Sequence, residues 1–266
     1  MSVQTLYTAA TGMQALETKL EVIANNLANV NTTGFKRGRA NFEDLFYRQE
    51  VLPGAETAGQ ITATGTAIGL GSRVSSVQSD FTQGAFNMTG GQLDLTIVGN
   101  GFFQVTDPAS GESLYTRAGN FEKNAEGNLV LGSASIGLLL EPSVSIPDDA
   151  VDIVVSGEGL VSYRQIGNPN LQQAGQIDLA HFINPGGLLH LGDNLYAETD
   201  ASGNAIPGQP GTPGLGTVQQ GALEMSNVEP VQELIDLITT QRAFELNSQA
   251  VQAGDEVLQV ITNLRR

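Results

Sequence analysis

The 266-residue sequence contains no cysteine, and only 15% of its residues are charged. Without cysteine, disulfide bonds and thiolate chemistry are excluded. The absence also suits a chain that must pass unfolded through a channel, because no cross-link can form. There are 12 basic and 28 acidic residues, giving a net charge of −16. This charge argues against nucleic acid and anionic membrane surfaces as partners.

Long apolar segments are also missing from the sequence. It contains no apolar run long enough to cross a bilayer, so we predict no membrane insertion. The first ten residues lack a basic region followed by an apolar run, so we expect no cleaved signal peptide. The protein is therefore predicted to be cytosolic or exported by a route that recognises another feature.

The sequence shows no convincing catalytic, cofactor or metal site. Its two histidines, His181 and His190, have no carboxylates at clear metal-ligand spacing. Residues 99–101 imitate part of a dinucleotide fingerprint, but Gln104 replaces the third glycine and a strand pattern follows. No nucleophile elbow and no P-loop are present. We therefore predict no enzyme activity, no cofactor and no metal.

Apolar residues at coiled-coil spacing occur near both ends of the chain. Near the N-terminus they form an a/d seam four heptads long, which predicts a helix from about Gln4 to Asn31. Gly34 is predicted to take the left-handed position of a Schellman motif after this helix, with Val30 and Phe35 in apolar contact. The two rows of the seam are Leu6, Met13, Leu20 and Leu27, and Ala9, Leu16, Ile23 and Val30.

A second long helix is predicted from about Val228 to Leu264. It begins with a capping box from Ser226 to Glu229, followed by Pro230. A helix that is apolar on two faces requires two sets of neighbours. The N-terminal helix can supply one set and another copy of the chain the other. One seam is Leu237, Phe244, Val251 and Leu258, and the other is Leu246, Ala250, Ala253, Val257, Val260 and Leu264.

Four asparagines, Asn25, Asn26, Asn29 and Asn31, are concentrated near the end of the first predicted helix. Asparagine lowers helix propensity, so the cluster could simply mark the helix end. Alternatively, the side-chain amides could form hydrogen bonds across a helix interface and fix its register. The sequence leaves both interpretations open.

The residues between the two helices carry frequent turn signals and short β-prone runs. We predict an α+β fold with long N- and C-terminal helices in a coiled-coil-like bundle, a sandwich- or barrel-like β domain and an extended insertion. The predicted helical domain comprises residues 1–35 and 226–266, the insertion 36–71 and the β domain 72–225. An Asn-Gly turn at residues 99–101, between two β-prone runs, predicts a β-hairpin.

The predicted insertion and β domain have distinct compositions. In the insertion, three cations precede an aromatic patch, which we expect to dock on a neighbour or on the core. A nucleic-acid site is disfavoured by the overall negative charge. Residues 74–225 hold 16 acidic and three basic residues, a net charge of −13. This is either a surface that keeps neighbours soluble and spaced or an ordinary acidic domain. The aromatic patch is Phe42, Leu45, Phe46 and Tyr47.

Several motifs together resemble the flagellar basal-body rod and hook family, and they span nearly the whole chain. The signature run at residues 24–36 includes Asn25, Asn26, Leu27, Asn29, Asn31, Thr32, Gly34 and Phe35. Further matching segments are LYTAATGM at 6–13, VGNGFFQV at 98–105, YTRAGNF at 115–121, SNVE at 226–229 and QRAFELN at 241–247. The length and the insertion favour a subunit of the distal part of the rod.

The resemblance implies a structural protein that polymerises into a rigid helical tube and transmits torque from motor to hook. Its implied partners are copies of itself, other rod proteins, the hook protein, surrounding ring proteins and the flagellar type III export apparatus. The tube would lie in the basal body and span the periplasm, and the insertion resembles the family's rod-stiffening element. The predicted subunit interface is Leu6, Met13, Leu16, Leu20, Ile23, Leu27, Val30, Leu237, Phe244, Leu246, Val251, Val257, Leu258 and Leu264.

Three alternatives remain at this point. The chain could be a proximal rod or hook subunit of the same family. It could be an extracellular carbohydrate-acting enzyme, which would require a close carboxylate pair on the β domain. It could also be a monomeric adhesin-like binding module whose two terminal helices pack only on each other.

Overall fold

The computed structural model has one long helix at each end of the chain and a β-rich middle, which confirms this part of the predicted fold. It describes residues 3–52, 56–57, 60–61, 64–132, 137–167 and 170–264. The chain forms two compact units. We call them the helical unit (Met1–Ala28, Gly38–Ser79 and Glu229–Arg266) and the β unit (Asn29–Arg37 and Asp80–Val228).

Helix α1 covers Val3–Ala28 and ends earlier than predicted. Gly34 does adopt a left-handed conformation, with φ +71°. However, it lies beyond the helix end, and its N–H donates to the carbonyl of Glu224 at 2.8 Å. The predicted Schellman motif is therefore wrong. Glycine is required at position 34 because a Cβ would lie 2.7 Å from the backbone nitrogen of Ala118.

Helix α2 covers Pro230–Leu264. Proline is favourable at the first helical position, where an N–H would have no helical partner. The predicted capping box is wrong, because the helix starts four residues after Ser226. The Ser226 hydroxyl instead accepts the N–H of Val228 at 3.3 Å.

The predicted insertion is a long antiparallel β-hairpin that belongs to the helical unit. The predicted boundary at residues 71 and 72 would separate hydrogen-bonded strands, since the two sides of the hairpin pair across it. The pairs are β1 Gly38–Asp44 with β6 Ser72–Ser79, β2 Tyr47–Val51 with β5 Thr66–Gly69, and β3 Glu56–Thr57 with β4 Gln60–Ile61.

The β unit contains a branched nine-stranded sheet and three smaller sheets. Among the described residues the large sheet has an open edge at each end of its strand order, so the barrel-like alternative is wrong. Its main path is β11 Phe121–Lys123, β12 Leu129–Leu131, β13 Leu139–Glu141, β9 Phe102–Thr106, β10 Ser113–Thr116, β19 Leu195–Ala197 and β18 Leu189–Gly192. Strand β17 Leu179–His181 joins β9 to β20 Ile206–Gly208.

The smaller sheets connect segments that are distant in sequence. They are β14 Ala150–Val155 with β15 Leu160–Gln165 and β16 Leu171–Gln176, β7 Phe86–Met88 with β22 Ala222–Glu224, and β8 Leu95–Val98 with β21 Thr217–Gln220. Since β8 pairs with β21 and not with β9, the hairpin predicted at the Asn-Gly turn is wrong. Gly99 and Gly101 have φ values of +105° and +132°, and between them the chain passes from one sheet to another.

Alternating side chains of the large sheet fill two apolar clusters within the β unit. On β9, Phe103 belongs to the larger cluster and Phe102 to the smaller one, as the two-residue period of a strand requires. The larger cluster also contains Leu95 and Ile97 of β8. These clusters give the β unit a core of its own.

Candidate functional site

The two helices of the helical unit pack antiparallel in constant register. Asn26 donates from Nδ2 to Glu233 Oε2 at 3.3 Å. A Cβ on Gly12 would lie 3.3 Å from Asn247 Nδ2, and one on Gly254 would overlap the Leu6 side chain. As contacts move toward the N-terminus along α1, they move by nearly the same number of residues toward the C-terminus along α2. This constant register is typical of two straight antiparallel helices.

One face of α2 lies against α1. Glu233, Asn247 and Gly254 contact α1, and Thr240 is buried on the same face. The first predicted seam is half-buried and lies at three- or four-residue intervals from these contacts. Its members are Leu237, Phe244, Val251 and Leu258. The first seam therefore lies on the face of α2 that packs on α1 of the same chain.

The opposite face of α2 is exposed and carries apolar side chains toward both ends of the helix, with Arg242 and Glu245 between them. The second predicted seam lies here: the side chain of Leu246 is 65% exposed, and Ala250 and Ala253 are exposed. The side chain of Leu264 lies outside the described residues. Exposed apolar side chains also occur at similar spacing in the N-terminal half of α2, which sequence reasoning missed. We call the large exposed apolar side chains of α2 the outer stripe: Val231, Leu234, Ile235, Ile238, Leu246, Val257 and Val260.

The predicted interface residues of α1 are shielded to different degrees. Ile23 is buried, whereas Val30 is half-buried in the turn that follows α1. The remaining members are half-buried: Leu6, Met13, Leu16, Leu20 and Leu27. Since these side chains retain exposed surface, their role in a subunit interface stays a prediction.

The hairpin covers a second face of α1. A Cβ on Gly71 would overlap the Thr11 hydroxyl, and one on Gly38 would lie 3.4 Å from Val22. Ala15, on the same face, is buried. Sequence reasoning missed this packing, although threonines and alanine recur there at helical spacing: Thr8, Thr11, Ala15 and Thr18.

The predicted aromatic patch lies on this hairpin and remains largely exposed. The side chain of Phe46 is 87% exposed, and Phe42 and Tyr47 are also exposed. Leu45 is half-buried, and its N–H donates to the carbonyl of Gly71 at 2.8 Å. The patch is therefore available to a neighbouring molecule.

Of the two interpretations of the asparagine cluster, hydrogen bonding across a helix interface holds for Asn26. Its side chain is buried, accepts the N–H of Gly38 at 2.8 Å and donates to the Gly38 carbonyl at 2.9 Å. With its bond to Glu233, it joins α1, β1 and α2 and fixes their register. Asn25 and Asn31 are exposed, and Asn29 accepts the Thr32 hydroxyl at 3.1 Å.

The signature run continues into a buried ionic cluster in the β unit. Lys36 Nζ lies 2.6 Å from Glu224 Oε1, and Arg117 Nη1 lies 3.4 Å from Glu224 Oε2. Burial lowers the pKa of Lys36, and the Glu224 charge opposes that shift. The cluster joins two recognised motifs, which contain Lys36 and Arg117, to Glu224. No local pattern marks Glu224, so sequence reasoning missed it.

The described residues show no arrangement of catalytic groups. His181 lies in β17 and His190 in β18. Within the described part of the chain, no three or more histidine or carboxylate side chains are grouped where they could hold a metal ion. No described helix is both long and apolar enough to cross a bilayer. What the geometry offers is surface for packing against other proteins.

Comparison with known proteins gives consistent matches along the chain. Residues 6–36 match the family described as "Flagella basal body rod protein". Residues 96–163 match "Flagellar hook protein FlgE/F/G D1 domain", and residues 219–264 match "Flagellar basal body rod FlgEFG protein C-terminal". The matched segments include both terminal helices and part of the β unit.

Curated relatives cover nearly the whole chain. The flagellar basal-body rod protein FlgG of Agrobacterium fabrum is 47% identical over 257 residues, covering 96% of both chains. FlgG of Borreliella burgdorferi is 40% identical over 264 residues, covering 98% of each. FlgG of Bacillus subtilis is 39% identical over 266 residues, covering 99% of each.

Proposed function

This chain belongs to the flagellar basal-body rod protein family, and from that membership we propose that it is a structural subunit of the distal rod. Its copies polymerise into a rigid helical tube that transmits torque from motor to hook. The observation that carries the proposal is the outer stripe, a set of exposed apolar side chains along α2 with no cover from α1. Apolar surface of this length is typical of a protein interface.

The outer stripe supplies the driving force for assembly. Each Leu, Ile or Val that becomes fully buried contributes about 1.5–3 kcal/mol. The first seam of α2 packs on α1 of the same chain, so the second is available to another copy. Repeating one such heterologous contact from copy to copy builds a helical array when the rotation between neighbours does not close into a ring. The half-buried residues of the α1 seam add to the same interface.

The hairpin stiffens the tube by contacting neighbouring subunits. Phe42, Phe46 and Tyr47 present exposed aromatic surface, while the base of the hairpin is held against α1. A hairpin that is held at its base by α1 and at its aromatic side chains by a neighbouring subunit resists bending more than a flexible loop would. The remaining proposed partners are other rod proteins, the hook protein, surrounding ring proteins and the flagellar export apparatus. The assembled tube spans the periplasm.

Substituting Leu246→Asp tests the proposal. The side chain points away from α1, so the variant should fold normally and fail to form tubes, because a buried carboxylate without a partner is costly. Ile166→Asp is a matched control, since Ile166 is 79% exposed in the β unit. Circular dichroism checks folding, and sedimentation with electron microscopy measures assembly.

The outcomes separate clearly. Tubes from wild type and from Ile166→Asp, with none from Leu246→Asp, support the outer stripe as the interface. Tubes of normal length from Leu246→Asp would contradict it. A wild-type protein that stays monomeric at every concentration would contradict the rod function itself.

A further inference from the structure

The chain crosses between the helical unit and the β unit at four points: 28/29, 37/38, 79/80 and 228/229. Any force carried along the chain from one unit to the other passes through these crossings. Arg37 and Asp80 border two of the crossings directly, and Asn227 lies one residue before the border of a third. These three residues meet inside the β unit. We call these residues, together with Thr82, the crossing junction.

One side-chain amide links the whole junction. Asn227 Oδ1 accepts the N–H of Arg37 at 2.7 Å. Asn227 Nδ2 lies 2.9 Å from the carbonyl of Asp80, and 3.1 Å and 3.0 Å from the carbonyl and hydroxyl of Thr82. Both the acceptor and the donors of the amide are therefore used.

A backbone bond completes the ring. The N–H of Asp80 donates to the carbonyl of Arg37 at 2.8 Å. Along the chain, Asn227 is 190 positions from Arg37 and 147 from Asp80. An asparagine that served only its own turn would bond within a few residues. This one instead holds together segments that the sequence separates widely.

The buried ionic cluster supports the same segments from inside the β unit. Lys36, next to Arg37, donates to the Thr82 carbonyl at 2.8 Å as well as to Glu224. Glu224 also accepts the N–H of Gly84 at 3.0 Å through its carboxylate. Each of the three segments is thus fixed both by Asn227 and by the Lys36–Glu224 pair.

We propose that Asn227 is a positioning residue that holds three of the four crossings in one rigid junction, so that torque enters the β unit without local yielding. The mechanical part rests on the proposed rod function. The junction itself does not, because it is a property of the single subunit.

Two substitutions with different effects test the junction. Asn227→Ala removes the acceptor of the Arg37 N–H, so the Arg37 amide should exchange with solvent about tenfold faster. The Asp80 N–H keeps its acceptor, the Arg37 carbonyl, but loses the side chain that holds the two segments together, so its exchange should accelerate as well. Asn227→Asp keeps an acceptor for Arg37 but replaces the donors with a carboxylate facing two carbonyls. The Arg37 amide should then stay protected, while exchange accelerates at residues 80–82.

Asn184→Ala is the matched control. Asn184 lies in the β unit and makes one side-chain bond, from Nδ2 to the Ala201 carbonyl at 3.0 Å. Its removal should leave exchange at Arg37 and Asp80 unchanged. Site-resolved hydrogen exchange on the full-length monomer provides the measurement. Tubes grown from Asn227→Ala should have the shortest persistence length, tubes from Asn227→Asp a longer one, and tubes from Asn184→Ala that of the wild type.

Three results would overturn the proposal. The first is wild-type exchange at Arg37 and Asp80 in a folded Asn227→Ala variant. The second is faster exchange spread evenly over the β unit, including β9, since this would indicate a general stability effect. The third is the same pattern of exchange at Arg37 and at residues 80–82 in both variants. If Asn227→Ala does not fold, unchanged exchange at residues 80–82 in Asn227→Asp overturns the proposal instead. A wild type that never forms tubes would contradict the rod function and leave the exchange result intact.

Discussion

Asn26 joins three elements of the helical unit through one side chain. It satisfies both backbone groups of Gly38 and reaches Glu233 across the helix interface. These hydrogen bonds can form in only one alignment of α1, β1 and α2. Any shifted alignment would leave a buried amide without partners and is therefore disfavoured. The same logic applies to Asn227 in the β unit, so each unit has an asparagine that holds distant segments together.

Replacing Asn26 should be costly. In Asn26→Leu the two backbone groups of Gly38 lose their partner inside the protein, and we expect a loss of about 1–3 kcal/mol in the free energy of unfolding. Urea denaturation followed by circular dichroism at the helix band measures it. Asn31→Leu is the control, because Asn31 is exposed and its substitution should change stability by less than about 0.5 kcal/mol. Equal effects of the two substitutions would contradict the register role.

Tyr115 should make the β unit sensitive to alkali. Burial, with smaller contributions from Glu198 and Glu141, raises its pKa to about 12, against 10.0 for the free side chain. The folded state therefore holds the proton more tightly than the unfolded state. The resulting stability is complete below pH 10 and is lost as the pH rises through 12.

The variant Tyr115→Phe removes this titration. Its free energy of unfolding should fall less steeply above pH 10 than that of wild type, while the difference between the two proteins stays constant from about pH 7 to 9. Urea titrations at a series of pH values give both slopes. Parallel curves above pH 10 would show that Tyr115 does not contribute.

Helix α1 is covered on two sides by its own chain, whereas α2 is covered on one. The hairpin accounts for the difference, because strands β1 and β6 lie along the face of α1 that carries Ala15 and Val22. Within the helical unit, most of the exposed large apolar side chains therefore lie on α2 and on the hairpin. These two elements present the surfaces most suited to contact between copies.

Gly71 tests how closely the hairpin approaches α1. Its φ of +122° strains any other residue, and a Cβ there would overlap the Thr11 hydroxyl. Gly192 has a φ of +93° but no atom within 4 Å of the Cβ position, so Gly192→Ala isolates the backbone strain. Gly71→Ala should lower the free energy of unfolding by about 1 kcal/mol more than Gly192→Ala. Equal losses in thermal or urea unfolding would mean that the hairpin does not lie against α1.

The distribution of charge over the whole molecule sets the conditions for assembly. Residues 74–225 carry a net charge of −13 out of −16, so copies brought together repel each other mainly through this region. The apolar outer stripe attracts over short distances, and the acidic surface repels over longer ones. Their balance decides when tubes form.

Salt should therefore promote assembly. Raising the ionic strength from about 20 mM to about 200 mM shortens the range of the repulsion from roughly 20 Å to less than 10 Å, so tubes should form at lower protein concentration. Light scattering gives the critical concentration at each salt level. A critical concentration that rises with salt would show that ion pairs between copies, not apolar contacts, dominate the interface.

The sequence by itself determined the two terminal helices, the turns between several strands and the family. Helix periodicity is local, so the seams of α1 and α2 could be read directly, and the motifs lie in continuous runs. The turn at residues 156–159 closes the β14–β15 hairpin, because turn residues act on their immediate neighbours.

Only the tertiary structure decided the partners of each surface. Gly34 bonds to Glu224, β8 pairs with β21, and the insertion folds back on α1, although none of these partners is close in sequence. The local sequence pattern predicts that a side chain will be buried or that a backbone will adopt a left-handed conformation, but it does not predict which segment will pack against that residue. That choice depends on contacts between distant segments, which form only when the whole chain has folded.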